Sequence, residues 1–461
     1  MLQKSHLTFI LLVCFAASAA QPVVVSGVIP GGENQEVRLM SFGDQISFRP
    51  VILDRTTVSS SGFFKMTAKI SEPLIATIEL SFFSSAIALV PGKEYEIVCD
   101  PVNLVNEFRP LYQKEPLNFE ILEEPDPYLN FWLSSFEDRY YNFVSKHFES
   151  FSKRRDPAIL IGFRSEMVED YGKVENEFFQ VYMDYKIATL ELSAAPSRKA
   201  IIFGQYLKDR MVHYNNPEYM FFFNTFFDQY LPGNNRFVSR RDLDVTINGQ
   251  ANYYILMDTL GKDTLLRNEV IRELVVLKTL KELYPHPSFD GNSILSILSQ
   301  IANQSKFSEH RDIAVNLLHE LRLLEVGFPA PVFELQNLDG GDVSLANLRG
   351  KPVYIFFMTT QSYGCLVEFD RMDELYKIYG NDIHFVTVSF DESPEVTDRF
   401  RKKHQFDWLF LYNGSAFDLI NKYRIKTYPT FVLIGSDGNI AEYPAYKPSE
   451  IIEQSFQNLL K

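Results

Sequence analysis

Cysteine is scarce in this chain: three residues in 461, at Cys14, Cys99 and Cys365. So few thiols exclude a fold stapled by several disulfides and leave the hydrophobic core to hold the structure. The eight histidines are scattered, with no pair at metal-ligand spacing, so neither a metal site nor a cofactor is expected. Lysine and arginine form no run longer than Arg401-Lys402-Lys403, and the net charge is −14. Such a surface repels phosphate backbones and anionic headgroups, which excludes nucleic acid as a natural partner. Past the N-terminal segment no stretch reaches the ~18 apolar residues of a membrane span, and nothing repeats at the period of a solenoid.

What is present is ordinary for a globular protein: 46% hydrophobic and 23% charged residues, with 40 Phe and 24 Tyr to fill cores. The length calls for two or three domains. The N-terminus carries Lys4, then an apolar stretch from Leu7 to Ala17, then Ser18-Ala19-Ala20. That is the layout of a signal peptide over residues 1–20, cut after Ala20, and it implies export. Cys14 follows Val13, whereas a lipoprotein signal needs a small residue there, so a lipid anchor is not expected.

Residues 21–114 read as an antiparallel β-sandwich. Short alternating runs such as Glu36-Val37-Arg38-Leu39 and Ile75 to Leu80 are broken by Gly31-Gly32, Ser61-Gly62 and Pro91-Gly92. Residues 115–326 change to a 3.6-residue period, as in Ser197–His213 and Leu265–Leu283, and predict an all-α middle domain. Phe221, Phe222, Phe223, Phe226 and Phe227 lie at helical spacing and are expected to pack a core.

Gly327-Phe328-Pro329-Ala330-Pro331 cannot continue a helix, so a third domain is expected over 327–461. Its pattern is α/β. A hairpin around Asp339-Gly340-Gly341 precedes the unbroken apolar run Val353 to Phe357, which suits a central strand covered on both faces. A helix to Gly380, a strand Phe385–Phe390, a helix Pro394–His404, a strand Trp408–Tyr412 and a short helix Ala416–Tyr423 follow. The chain then enters Phe431-Val432-Leu433-Ile434 through Tyr428-Pro429-Thr430, and a proline at the mouth of a buried strand invites a cis bond.

Ala330-Pro331, Leu348-Arg349-Gly350-Lys351, the apolar strand, Asp391-Glu392-Ser393 and Pro429-Thr430-Phe431 fall in the register of one family. The domain resembles the TlpA/ResA branch of the thioredoxin superfamily, itself related to AhpC/TSA proteins. The turns Ser61-Gly62-Phe63-Phe64 and Val90-Pro91-Gly92-Lys93 loosely resemble the small sandwich that precedes such domains in exported proteins of Bacteroidetes. The resemblance implies a thioredoxin-like fold, a place in the periplasm or cell envelope of a Gram-negative bacterium, and a protein or peptide thiol/disulfide partner.

In that family the central strand runs into Trp-Cys-x-x-Cys, and here the register sets Gln361 for Trp, Ser362 for the first Cys and Cys365 for the second. The motif is degenerate. The first cysteine of such a pair attacks a substrate disulfide and the second releases it, so with Ser362 ordinary two-cysteine exchange is expected to fail. Three readings stay open: a one-cysteine peroxidase or monothiol enzyme through Cys365, an inert core cysteine, and a non-catalytic thioredoxin-fold binding module. Peroxiredoxins carry Ser/Thr-x-x-Cys, which Ser362 and Cys365 match, but they also carry a Pro and an Arg where this chain has Met358 and Tyr428. Glu392 stands where ResA-like proteins have a proton-transfer carboxylate, or else caps the helix starting near Pro394. The resemblance implies that Tyr363, Tyr428 and Pro429 line the groove in which the family binds extended peptide. A Cys99–Cys365 disulfide would require the sandwich to dock on the motif.

Overall fold

The computed structural model describes residues 19–104, 114–153, 157–233, 235–413 and 417–461. The expected signal segment, Cys14 included, lies outside the described residues except for Ala19 and Ala20, and the first strand begins at Gln21. Among the described residues no helix is long and apolar enough to cross a membrane.

Alternation in the strand β1 (Gln21–Val28) turns Val23 and Val25 inward. The strands β2 (Glu36–Phe42), β3 (Pro50–Thr57), β4 (Phe63–Ile70), β5 (Leu74–Leu80), β6 (Phe83–Leu89) and β7 (Glu94–Cys99) follow, and then β8 (Glu115–Pro116) and β9 (Phe119–Glu123). They form two sheets, ordered β4-β1-β7-β9 and β3-β2-β5-β6-β8, around a core that includes Val25, Phe64, Ile78 and Ile97. Two features differ from the sequence reading. The sandwich is not wholly antiparallel, because β1 pairs with β7 in parallel register, Val24 opposite Glu94. The strands between them give the chain room for the crossover a parallel pair needs. The sheets also run beyond residue 114, since Phe119–Glu123 pairs with β7.

The helices are α1 (Leu129–Ser152), α2 (Pro157–Tyr171), α3 (Glu177–Ala194), α4 (Lys199–Tyr206), α5 (Pro217–Phe226), α6 (Arg240–Asp244), α7 (Tyr253–Leu260), α8 (Glu269–Leu283), α9 (Gly291–Gln304) and α10 (Ser308–Arg322). Two are shorter than their periodicity predicts. The Asn268 side chain accepts from the amides of Val270 and Ile271 and so starts α8 afresh inside the Leu265–Leu283 run. After Tyr206 the segment expected to reach His213 breaks, with Asp209 in the left-handed region at φ 55°. Of the phenylalanine stripe, Phe222, Phe223, Phe226 and Phe227 are buried as expected, whereas Phe221 is 58% exposed on the far face of α5.

A polar pair sits inside this layer. Glu273 and His310 are both fully buried with Oε1 and Nδ1 3.2 Å apart, and Tyr253 donates to Glu273 at 2.7 Å. Burial raises the Glu273 carboxyl, but hydrogen bonds from His310, Ser305 and Tyr253 outweigh it and hold the group below its ordinary range. A depressed folded value stabilises the protein above the unfolded value of about 4.3 and loses that contribution as pH falls through the folded one. Glu273→Gln is therefore expected to flatten the acid side of a stability-versus-pH curve, measured as thermal midpoint from pH 7 downward.

The β2–β3 loop docks on the helices: Asn316 on α10 accepts from Arg49 at 3.1 Å and donates to Asp44 at 2.8 Å, and Lys281 on α8 donates to the Ile46 carbonyl at 2.6 Å. At the other end, Leu323 and Leu324 after α10 pack into the core of the last domain, and Gly327 donates to the Ile440 carbonyl at 2.7 Å.

That domain contains β10 (Glu334–Asn337), β11 (Asp342–Ser344), β12 (Val353–Met358), β13 (His384–Ser389), β14 (Leu409–Tyr412), β15 (Thr430–Ile434) and β16 (Ile440–Glu442), ordered β11-β10-β14-β13-β12-β15-β16. The helices α11 (Tyr363–Tyr379), α12 (Pro394–His404), α13 (Phe417–Lys422) and α14 (Ile452–Leu459) cover it. Every residue of β12 is buried, as its unbroken apolar run requires. Val353, Ile355 and Phe357 meet Leu419, Ile420 and Tyr423 on one face, while Tyr354, Phe356 and Met358 meet Phe369, Met372 and Phe456 on the other. β12 pairs with β13 in parallel and with β15 in antiparallel register, which brings the end of one strand, the end of its neighbour and the start of a third to one edge.

Candidate functional site

At that edge β12 gives way to Thr359, Thr360 and Gln361, and Ser362 is the N-cap residue of α11. The Cys365 amide donates to the Ser362 carbonyl at 2.9 Å, closing the first turn. The Ser362 hydroxyl lies 3.5 Å from the Tyr428 carbonyl, across the loop that feeds β15. The Tyr428–Pro429 peptide is cis. Gly364 permits this approach: a Cβ there would stand 3.3 Å from the Pro429 ring, a contact a larger residue would have to push aside. The structure thus brings Ser362, Cys365, Tyr428 and Pro429 together, with Tyr363 beside them, 80% exposed on the outside of the turn. Leu366 and Val367 continue the exposed apolar strip along α11 from Tyr363.

Cys365 is fully buried among Met358, Phe369 and their neighbours. Burial pushes its thiol up, while hydrogen bonds with the Thr359 backbone and the Ser362 hydroxyl pull it down; the balance lies above the ordinary value. Cys99 is equally buried but in the sandwich core, where desolvation and Asp100 push it up to about 12. Both cysteines are free thiols in separate cores, so the disulfide between them is absent.

Glu392 does not join this cluster. It is exposed, and its carbonyl accepts from the Tyr412 hydroxyl at 3.2 Å. The N-cap of α12 is Ser393, and the acid in its first turn is Glu395, held below its ordinary range by the Ser393 hydroxyl and its own amide. The carboxylate that does organise the edge is the adjacent Asp391, which sequence reasoning passed over. It is buried, and its Oδ1 accepts from the Thr360 amide at 2.7 Å and from the hydroxyls of Thr359 and Thr360 at 2.9 Å. Its Oδ2 accepts from Ser389 and Thr397, each at 2.9 Å. One side chain therefore ties the loop before α11 to the end of β13 and the first turns of α12. The detectable signal was the hydroxyl pair after one strand and Ser389-x-Asp391 after the next.

The model of the AhpC/TSA family matches residues 326–443. The thiol-disulfide oxidoreductase ResA of Oceanobacillus iheyensis is 31% identical over 137 residues, which make up 28% of this chain and 70% of that protein. The chain belongs to the TlpA/ResA-like branch of the thioredoxin superfamily. ResA of Halalkalibacterium halodurans is 25% identical over 170 residues, 37% of this chain and 92% of the relative. Among solved structures, the exposed lipoprotein thioredoxin of Streptococcus pneumoniae is 25% identical, covers 28% of this chain and all of its own, and superposes with a TM-score of 0.25. The family model falls on the last domain, the part that carries Ser362 and Cys365.

Proposed function

We propose that this protein is exported to the cell envelope and that its TlpA/ResA-like domain binds a polypeptide at the Tyr363–Tyr428–Pro429 face without two-cysteine exchange. The observation that carries the reading is the pairing of a serine at the N-cap of α11 with a fully buried cysteine one turn on. Reducing a disulfide takes two electrons, which two neighbouring thiols supply as they close a disulfide; Ser362 has no thiol, and the only other described cysteine lies in the sandwich core. The exposed strip of Tyr363, Leu366 and Val367 supports the binding role.

A one-cysteine reaction through Cys365 is the second reading, favoured by the Ser362 hydroxyl at its thiol. Complete burial and the raised thiol weigh against it, because the thiolate is the nucleophile. Glu392 has no part in either reading. Insulin disulfide reduction with dithiothreitol tests the proposal. The mature protein is expected to leave the rate at that of dithiothreitol alone, and catalysed precipitation would contradict the reading.

A further inference from the structure

Between α2, α3 and α4 the middle domain holds a cavity of about 250 Å³. Its floor is aliphatic: Leu160, Ala194 and Ile202 are buried there. Its rim carries Ile161 and Ile201, 64% and 59% exposed, two large apolar side chains held in water beside an opening. Among the described residues no aromatic ring lines it, in a chain with 40 Phe and 24 Tyr. A planar ligand would find no face to stack on, whereas a flexible alkyl chain fits such a wall.

Among the described residues the charged groups at the cavity are already engaged, with one exception, and Gln205 donates to the Tyr206 hydroxyl at 2.9 Å. The Arg164 guanidinium is held by Glu191 at 2.8 Å, Asp184 at 2.6 Å and the Tyr206 hydroxyl at 2.6 Å. The other Glu191 oxygen accepts from Tyr206 at 2.8 Å, and the Ser165 hydroxyl donates to the Ile161 carbonyl at 3.0 Å. Arg198 differs: it is exposed at the mouth and has no hydrogen bond or ion pair to its side chain among the described residues. An aliphatic slot with one uncommitted cation at its entrance selects an alkyl chain that ends in an anion.

We propose that this cavity binds a single aliphatic chain with an anionic head, the chain in the slot and the head on Arg198. At roughly 30 Å³ for a water-sized group, the volume suits on the order of eight methylenes. The same chemistry is offered by a free fatty carboxylate and by one acyl chain of an anionic lipid.

The test is calorimetric titration of the mature full chain with octanoate, decanoate, decanol and decyltrimethylammonium, alongside sedimentation with phosphatidylglycerol vesicles. Decanoate is expected to bind saturably and about tenfold more tightly than octanoate, since each buried methylene is worth about threefold to fourfold. Decanol and the cation are expected to bind at least about tenfold more weakly than decanoate, for want of the charge-assisted contact. Arg198→Glu, on an exposed side chain, is expected to weaken decanoate by about tenfold or more, with Arg198→Lys retaining most of it. Ile161→Glu tests the rim independently and is expected to weaken decanoate as well. Arg198-dependent vesicle binding without decanoate binding would assign the source as lipid. Binding of neither, or decanoate binding indifferent to Arg198→Glu, would overturn the proposal.

Discussion

Ser362→Cys is expected to switch on disulfide reduction in a protein that otherwise lacks it, raising the insulin-reduction rate above the dithiothreitol background by an order of magnitude or more. The new thiol would stand at the N-cap of α11, where no acidic residue occupies the first turn and uncapped amides favour an anion. Cysteines in that setting have pKa values of about 3.5–7.5 against 8.5 for a free thiol, so a large fraction would be thiolate at neutral pH. Position 362 is also the more accessible of the two, since Ser362 is half-buried and Cys365 fully buried. Ser362 caps the helix whose first turn holds Cys365, the Cys365 amide donates to the Ser362 carbonyl at 2.9 Å, and the Ser362 hydroxyl pulls the Cys365 thiol down, so the two positions are neighbours. The mutant thiol would attack the substrate disulfide, and Cys365 would then displace the reduced substrate by closing an internal disulfide. Ser362→Ala is the control and is expected to remain at background. If Ser362→Cys folds and also stays at background, the loss of the first cysteine is not what separates this domain from its redox relatives.

Asp391→Ala is expected to destabilise the last domain by about 3 to 4 kcal/mol, among the larger effects a single substitution has. The change removes the shared acceptor of four hydroxyls and the Thr360 amide; Ser389 and Thr397 keep the bond to each other at 2.7 Å, while the half-buried Thr359 and Thr360 hydroxyls and the Thr360 amide lose their acceptor. Asp391→Asn keeps one acceptor oxygen and the shape, and is expected to lose about half as much. The chain offers a local reporter. Its two tryptophans are Trp132 on α1 and Trp408, which is buried beside β14 and donates to the Thr387 hydroxyl at 2.8 Å. In a Trp132→Phe background, urea unfolding followed by fluorescence reads the last domain through Trp408. A shift below about 1 kcal/mol would mean that water reaches the cluster and replaces Asp391 as acceptor.

Much of this architecture was legible in the sequence, for reasons that can be named. The run Val353 to Phe357 has no polar face, so only a strand covered on both sides suits it, and the helix, the parallel strand and the proline-led strand after it were placed to within a residue or two. Asn216 before Pro217 and Asp290 before Gly291 are residue types that cap helices, and in the structure the Asn216 side chain accepts from the Tyr219 amide and the Asp290 side chain from the Ser293 amide.

The rest failed where distance along the chain hides proximity in space. A carboxylate just after a strand looks the same whether it caps the next helix or fills a buried site, and the choice of Asp391 over Glu392 is made by Thr359 and Thr360, thirty-odd residues upstream. The parallel pairing of β1 with β7 leaves no local trace, because alternation reports which face is buried and not which strand lies alongside. The strand Phe119–Glu123 is short and follows Pro116, and residues 105–113 between it and the sandwich lie outside the described residues.

In the proposed reading Cys365 is a core residue and not half of a redox pair. The direct measurement is alkylation with iodoacetamide followed by mass spectrometry, on the native protein from pH 7 to 9 and again after unfolding in guanidinium. Burial and the raised thiol predict that Cys365 stays unmodified in the native protein across that range and reacts fully once unfolded. Rapid modification of native Cys365 at pH 7, with Cys99 protected, would contradict that reading and favour a one-cysteine reaction through Cys365.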